Sequence, residues 1–286
     1  MSEKFVLLGK PYRGYVYFDL LLSFNQLFGF AFIILSGYLF ETMDIGIKWP
    51  SGGNIGGINF HGMFMSTGLV FFQGEALLSH RLYRYDNKFL SRIIHVIFHL
   101  LTMAFFSTAL AAMILHKNAN SMTNFATAHS WIGLSVMCFY IIQFLFGLAS
   151  FVLRGIAKGT RQNISTIHKI IGSVIFTASI VQSAIGFTQY NATFKTSCEK
   201  YGSIDDTPLT CNDYKFVYNF TIITGIFYGI TILGRAVFTN CAGPSTYPIR
   251  FFLRLSFMVV AECEYGGWRD FDIVICKISA AESTAD

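Results

Sequence analysis

Long apolar runs separated by short polar stretches organise the chain. Six of them, approximately Leu20–Phe40, Phe60–Ser79, Ile93–Leu115, Phe125–Leu153, Ile170–Tyr190 and Phe216–Gly234, are of membrane-spanning length. Crossing a hydrocarbon core of about 30 Å takes about 20 apolar residues as a helix, because lipid satisfies no backbone group of an open structure. The pattern predicts an all-α fold, a six-helix transmembrane bundle. It divides the chain into a polar N-terminal segment (1–16), a membrane domain (17–234) and a tail (235–286). Met1–Tyr17 lacks a cleavable signal pattern, so the first apolar run is expected to act as its own insertion signal and to stay. Within the tail, Phe251–Val260 is apolar with Arg254 inside it and reads as a surface-lying segment or an insertion.

Composition agrees with lipid as the solvent: 53% hydrophobic, 17% aromatic and only 13% charged residues, with a mean hydropathy of +0.50. The net charge of +5 needs no nucleic-acid partner, because the basic residues are spread along rims instead of forming a block. Lys4, Lys10 and Arg13 precede the first span. Arg81, Arg84, Lys88 and Arg92 join spans 2 and 3, and Arg154, Lys158, Arg161 and Lys169 join spans 4 and 5. The tail adds Arg235, Arg250, Arg254, Arg269 and Lys277, whereas the opposite loops hold only Lys48, Lys117, Lys195, Lys200 and Lys215. Positive loops remain cytoplasmic, so both termini are expected there.

Cysteine placement follows the same topology. Cys198 and Cys211 fall in the 5–6 loop, on the side where an oxidising exterior would permit a disulfide. Asn191-Ala192-Thr193 opens that loop as a glycosylation sequon close to the membrane. Cys138 lies inside the fourth span as a packing residue, and Cys241, Cys263 and Cys276 lie in the tail, where thiols stay reduced.

Histidines carry the candidate chemistry. His61, His95 and His129 follow one another at 34-residue intervals and His168 comes 39 later, close to one helix plus one loop each time. Each stands near the start of its span, so successive ones alternate between membrane faces. His61 and His129 should therefore meet at the outer side, and His95 and His168 at the cytoplasmic side. Polar side chains at membrane depth are costly, and two matched pairs are hard to explain as packing. Neither pair has the carboxylate or thiolate company that zinc requires, whereas two axial imidazoles suit a haem iron. No Cys-x-x-Cys-His occurs, so non-covalent b-type haem is implied, two per chain, within the group of helices 2 to 5. With both axial positions filled, the function expected is electron transfer across the bilayer. A rival reading is a haem-free six-helix transporter passing protons or metal through these histidines and Glu75, the carboxylate well inside span 2.

Several segments resemble the cytochrome b561 family of transmembrane ascorbate-dependent oxidoreductases, across roughly Phe60–Gly234. Ala76-Leu77-Leu78-Ser79-His80-Arg81 resembles the family's ALLVYR element, and Ala128-His129-Ser130-Trp131 its SLHSW element. His95 with His99 resembles the His-x-x-x-His start of the third helix, Ile167-His168 with Gly172 the start of the fifth, and Gln143-x-x-x-Gly147 a fourth-helix pattern. Gly62, His80 and Thr127-Ala128 depart from the family residues, and none removes a ligand.

The resemblance implies that His61, His95, His129 and His168 are the axial ligands, in the pairing that topology predicts. It also implies a cytosolic site for anionic ascorbate at Lys88, Arg92 and Arg161, with Arg81 a fourth member. The same cations also read as rim charges or partners of haem propionates. His99, one turn after His95 on the same helix face, either competes with it as a ligand or, as the family pattern favours, hydrogen-bonds near the haem. His116 with Asn118 corresponds to an outer acceptor site, or else His116 is a solvated loop residue. The acceptor implied is monodehydroascorbate or ferric iron, and the membrane vesicular, endosomal or lysosomal, or plasma membrane. A homodimer is typical of the family. A haem-containing member that no longer turns over ascorbate is a third reading.

Overall fold

The computed structural model describes residues 13–43, 45–51, 56–82, 88–152, 158–201, 211–238, 259–265 and 274–280. Their helices are α1 (Arg13–Thr42), α2 (Gly56–Met65), a π-helical segment (Ser66–Phe72), α3 (Gln73–Leu82), α4 (Lys88–Ala119), α5 (Ala128–Val152), α6 (Lys158–Tyr201) and α7 (Cys211–Phe238). α1 and α4 to α7 each contain a stretch long and apolar enough to cross a membrane. The second span is composite: α2, the π segment and α3 abut without a break in the helical backbone. The six expected spans are thus all helical, and the chain is a multi-pass membrane protein.

Hydropathy marks where lipid stops, and helices continue past it. α6 has 44 residues and runs through the sequon and Cys198 to Tyr201, where the sequence reading expected a loop after Tyr190. No Gly or Pro occurs from Asn191 to Tyr201, and a helix satisfies its own backbone in water as in lipid. α4 likewise starts at Lys88, a turn before the apolar run, and α1 reaches back to Arg13.

Two packed helix pairs form the centre: the α2–π–α3 rod against α4, and α5 against α6. Leu69, Phe106, Val136, Met137, Tyr140 and Ile175, drawn from the π segment and α4, α5 and α6, are buried together. Each lies seven to eleven residues beyond the histidine of its own span, so the cluster separates the two histidine layers with apolar side chains. Outward faces carry Leu27, Phe30, Ile34, Phe139, Ile142 and Leu145, as lipid requires.

α1 and α7 are joined to this centre by polar contacts. Glu75 is buried, as the sequence suggested, and Gln26 Nε2 donates to both its carboxylate oxygens at 3.1 and 3.0 Å. The Tyr228 hydroxyl lies 3.0 Å from Glu75 Oε1 and 3.1 Å from the Phe71 carbonyl. Thr231 donates to Asn25 at 2.8 Å. Nearer the start of α2, Asn59 donates to the carbonyls of Met43 (2.7 Å) and Gly46 (3.2 Å) and accepts from Tyr190 (2.8 Å), which fixes the 1–2 loop beside α6.

The chain divides into a compact unit ending at Ile232 and a second from Leu233. In the second, β1 (Val259–Tyr265) pairs antiparallel with β2 (Val274–Ala280), in a register that sets Cys263 opposite Cys276. The sequence reading took Phe251–Val260 as a surface-lying segment or an insertion; of these, Val259 and Val260 belong to strand β1. Two seven-residue segments are too short for hydropathy to distinguish from an interfacial turn. The rest of Phe251–Val260 lies outside the described residues.

Glu75→Ala withdraws an acceptor from two buried donors, and we expect it to lower stability in detergent by about 1–3 kcal/mol. Tyr228→Phe should cost less, about 0.6–1.7 kcal/mol, the range for side-chain hydrogen bonds within membranes. Denaturant titration of the solubilised protein distinguishes the two.

Candidate haem sites

Every candidate ligand is held through Nδ1. An imidazole that gives Nε2 to a metal needs its Nδ1–H donated elsewhere, or the ring is free to turn. His95 Nδ1 lies 2.8 Å from the Ala76 carbonyl of α3, and His61 Nδ1 lies 3.0 Å from the Ala109 carbonyl of α4. A carbonyl can only accept, so both rings carry their proton on Nδ1 and present a lone pair at Nε2. The exchange is reciprocal between the two rods. His61 and Ala76 are fifteen residues apart, His95 and Ala109 fourteen. A π turn between His61 and Ala76 takes up one extra residue, which restores the match.

The other two candidates are held by glutamine. Gln143 of α5 reaches His168 of α6, with Nε2 2.9 Å from Nδ1 and 2.7 Å from the His168 carbonyl. Gln182 of α6 reaches His129 of α5 in the same way, at 2.8 and 2.5 Å. Each layer thus combines one carbonyl-held and one glutamine-held histidine. The rings of His95 and His168 have centroids 6.5 Å apart at 62°.

Two more histidines join the His95 layer. His80, standing where the family has tyrosine, places its ring centroid 4.8 Å from that of His95, and its Nδ1 lies 2.6 Å from Ser91 Oγ. His99 Nε2 lies 3.1 Å from His95 Nε2, and His99 Nδ1 bonds the Tyr140 hydroxyl. His99 thus meets His95 at the nitrogen whose single lone pair a haem iron would take, so that contact and an iron bond exclude one another.

The remaining predicted residues are placed unevenly. Arg92 and Arg161 are exposed near the starts of α4 and α6, the helices that carry His95 and His168. The side chains of Arg81, Lys88, Cys198 and Cys211 lie outside the described residues. His116 is 2% exposed, so it is not a solvated loop residue, and its Cβ lies where a Cβ on Gly57 would approach to 2.8 Å. Asn118 is exposed and accepts from Asn124 at 2.7 Å. Two residues apart on one helix, His116 and Asn118 face different ways.

A haem fits the His95/His168 layer by geometry. Metal–imidazole bonds of about 2.0–2.1 Å put two rings on opposite sides of one iron with centroids roughly 6–6.5 Å apart. Among the described residues no three His, Cys, Asp or Glu are grouped to hold a metal ion, so a bound metal has to bring its other ligands with it, as a macrocycle does. Small residues line the rings in both layers. A Cβ at Gly147 would come 2.6 Å from His168 Cε1, and one at Gly186 would come 3.0 Å from His129 Cε1.

Helical spans carrying two layers of Nδ1-anchored histidines make a multi-pass membrane protein with candidate sites for haem. Comparison with known proteins agrees. The family of eukaryotic cytochrome b561 matches residues 60–195. A CYB561 homolog of Caenorhabditis elegans, named as a transmembrane ascorbate-dependent reductase, is 32% identical over 189 residues, 63% of this chain and 70% of the relative. The transmembrane ascorbate-dependent reductase CYB561 of Sus scrofa is 29% identical over 167 residues, 58% of this chain and 65% of that protein. The plasma membrane ascorbate-dependent reductase CYBRD1 of Xenopus tropicalis is 28% identical over 222 residues, covering 77% and 75%. The chain belongs to the cytochrome b561 family of membrane oxidoreductases, and membership implies b-type haem.

Sequence reasoning missed Gln182. Its signal is a repeat: His129, Gly133, Gln143 and Gly147 recur 39 residues later as His168, Gly172, Gln182 and Gly186. Gly147→Leu should push into His168 and remove the spectral component of that layer alone, and Gly186→Leu should do the same to the His129 layer. Reduced-minus-oxidised spectra at low temperature resolve the two.

Proposed function

We propose that this protein carries single electrons across a membrane from cytosolic ascorbate to an acceptor on the far side, through one haem b between His95 and His168 and another between His61 and His129. The observation that carries the reading is that all four histidines are anchored at Nδ1, two from each membrane level. Each bound haem would supply a one-electron carrier with both axial positions filled, which suits electron transfer and disfavours oxygen chemistry.

The chain's own residues account for the rest. Arg92 and Arg161, exposed near the starts of α4 and α6, are suited to hold the ascorbate anion, and the sequence offers Lys88 and Arg81 to the same site. The buried cluster around Phe106 and Tyr140 keeps water out between the layers. Lys and Arg bias places both termini in the cytosol. Electrons would enter at the His95/His168 layer and leave at the His61/His129 layer. His116 and its neighbours would flank the exit, where monodehydroascorbate or ferric iron accepts the electron. One relative's name extends the reading to the plasma membrane, and we carry the vesicular, endosomal or lysosomal membrane and the homodimer with it as expectations from the sequence.

The purified protein should contain about two haems per chain by pyridine haemochrome assay, and ascorbate should reduce them. His95→Ala and His129→Ala should each remove one component, while His99→Ala should keep both. Absence of haem would sink the proposal and return weight to a haem-free transporter. Arg92→Ala with Arg161→Ala should raise the ascorbate concentration for half-reduction roughly fivefold, the factor for about 1 kcal/mol, leaving dithionite-reduced spectra unchanged.

A further inference from the structure

The two glutamines differ from the two carbonyls in one chemical respect. A carbonyl dictates which imidazole nitrogen bears the proton, but a terminal amide can meet Nδ1 with either its donor or its acceptor end. Here the donor end faces the ring in both cases, at 2.9 Å for Gln143 and 2.8 Å for Gln182. Nδ1 is then an acceptor, and the proton sits on Nε2, where it blocks a bond to iron. Gln182 Oε1, meanwhile, is buried without a hydrogen-bond partner. Turning the amide end for end, and swinging it off the His129 carbonyl that now lies 2.5 Å from its nitrogen, sets Oε1 against Nδ1–H and frees the Nε2 lone pair. The His129 carbonyl gives up its amide contact but is still positioned to accept from the backbone four residues on. Gly133 leaves the room this needs, since a Cβ there would come 2.9 Å from Gln182 Nε2.

We propose that Gln143 and Gln182 are positioning residues that select the tautomer of His168 and His129, and that each thereby governs the iron affinity and reduction potential of one haem and not the other. This inference rests on the haem reading given above. The repeat of His, Gly, Gln and Gly at a 39-residue offset builds the same device twice, once in each direction, because α5 and α6 are antiparallel and each lends its glutamine to the other's histidine. Every layer has one ligand whose proton is fixed by backbone and one whose proton is set by a side chain. The side-chain-held ligand is the adjustable one, and in a low-dielectric interior a change in its basicity acts on the iron with little screening.

The test substitutes one glutamine at a time in the full-length, haem-loaded protein and measures both midpoint potentials by spectroelectrochemical titration. Glutamate can only accept from Nδ1–H, so it locks the iron-binding tautomer and makes the ring a stronger donor, which favours ferric iron. Gln182→Glu should shift the reduction equilibrium of the His61/His129 haem at least tenfold toward the oxidised form, about 59 mV for one electron, with the other haem unchanged. Gln143→Glu should do the reverse. Gln182→Met and Gln143→Met, which keep the volume and remove the amide, should each raise the potential of one haem and speed its transfer to apomyoglobin.

In each variant the untouched haem reports in the same sample whether the bundle is folded. If a glutamate variant fails to load haem, the methionine pair decides the matter. Potentials and transfer rates that ignore the methionine substitutions, or that shift equally at both haems, would overturn the inference while leaving the haem reading intact. A wild-type protein without haem would overturn both.

Discussion

A buried imidazole in lipid has no water to satisfy the nitrogen it does not use, and this constraint organises the bundle. Each of the four candidate ligands lends its Nδ1 to a group on a neighbouring helix: Ala76, Ala109, Gln143 or Gln182. Those contacts cross between helices, so they orient rings and join helices at once. The π segment follows from the same demand. Without its extra residue, the exchange between the α2–α3 rod and α4 would be out of step by one position.

The two helix pairs reach the same end by different means. The α2–α3 rod and α4 exchange backbone carbonyls, which tolerate side-chain replacement but demand register. α5 and α6 exchange glutamine side chains, which tolerate register but demand the residue. Glycine is needed where ring meets backbone, as Gly147 and Gly186 show by the closeness of His168 and His129. The peripheral helices α1 and α7 contribute no candidate ligand. Their attachment runs through Glu75, Gln26, Tyr228, Asn25 and Thr231, side chains whose polar atoms would be costly facing lipid and are satisfied facing one another.

The electrostatic plan is equally divided. The described lysines and arginines stand toward the helix ends, whereas the interior combines the apolar cluster around Phe106 and Tyr140 with buried polar side chains, Thr67, Gln73, Thr102 and Ser179 among them, and one buried carboxylate, Glu75, held by Gln26 and Tyr228.

The chain by itself determined the membrane class, the six spans and the pairing of His61 with His129 and His95 with His168. Those are consequences of composition, length and chain direction, and helix geometry converts them to position with little freedom. It also contained the 39-residue repeat that leads to Gln182, although nothing in a single occurrence of glutamine distinguishes a ligand's partner from a packing residue. Tertiary structure alone decided the rest. The helices extend past the apolar runs because a helix satisfies its backbone in water as in lipid. His116 is buried because α4 packs against the start of α2, a contact absent from any local pattern. The π turn appears because two rods must match along their length. Nδ1 partners are non-local by nature: Ala109 lies 48 residues from His61, and Gln182 lies 53 from His129. Only packing brings such groups together.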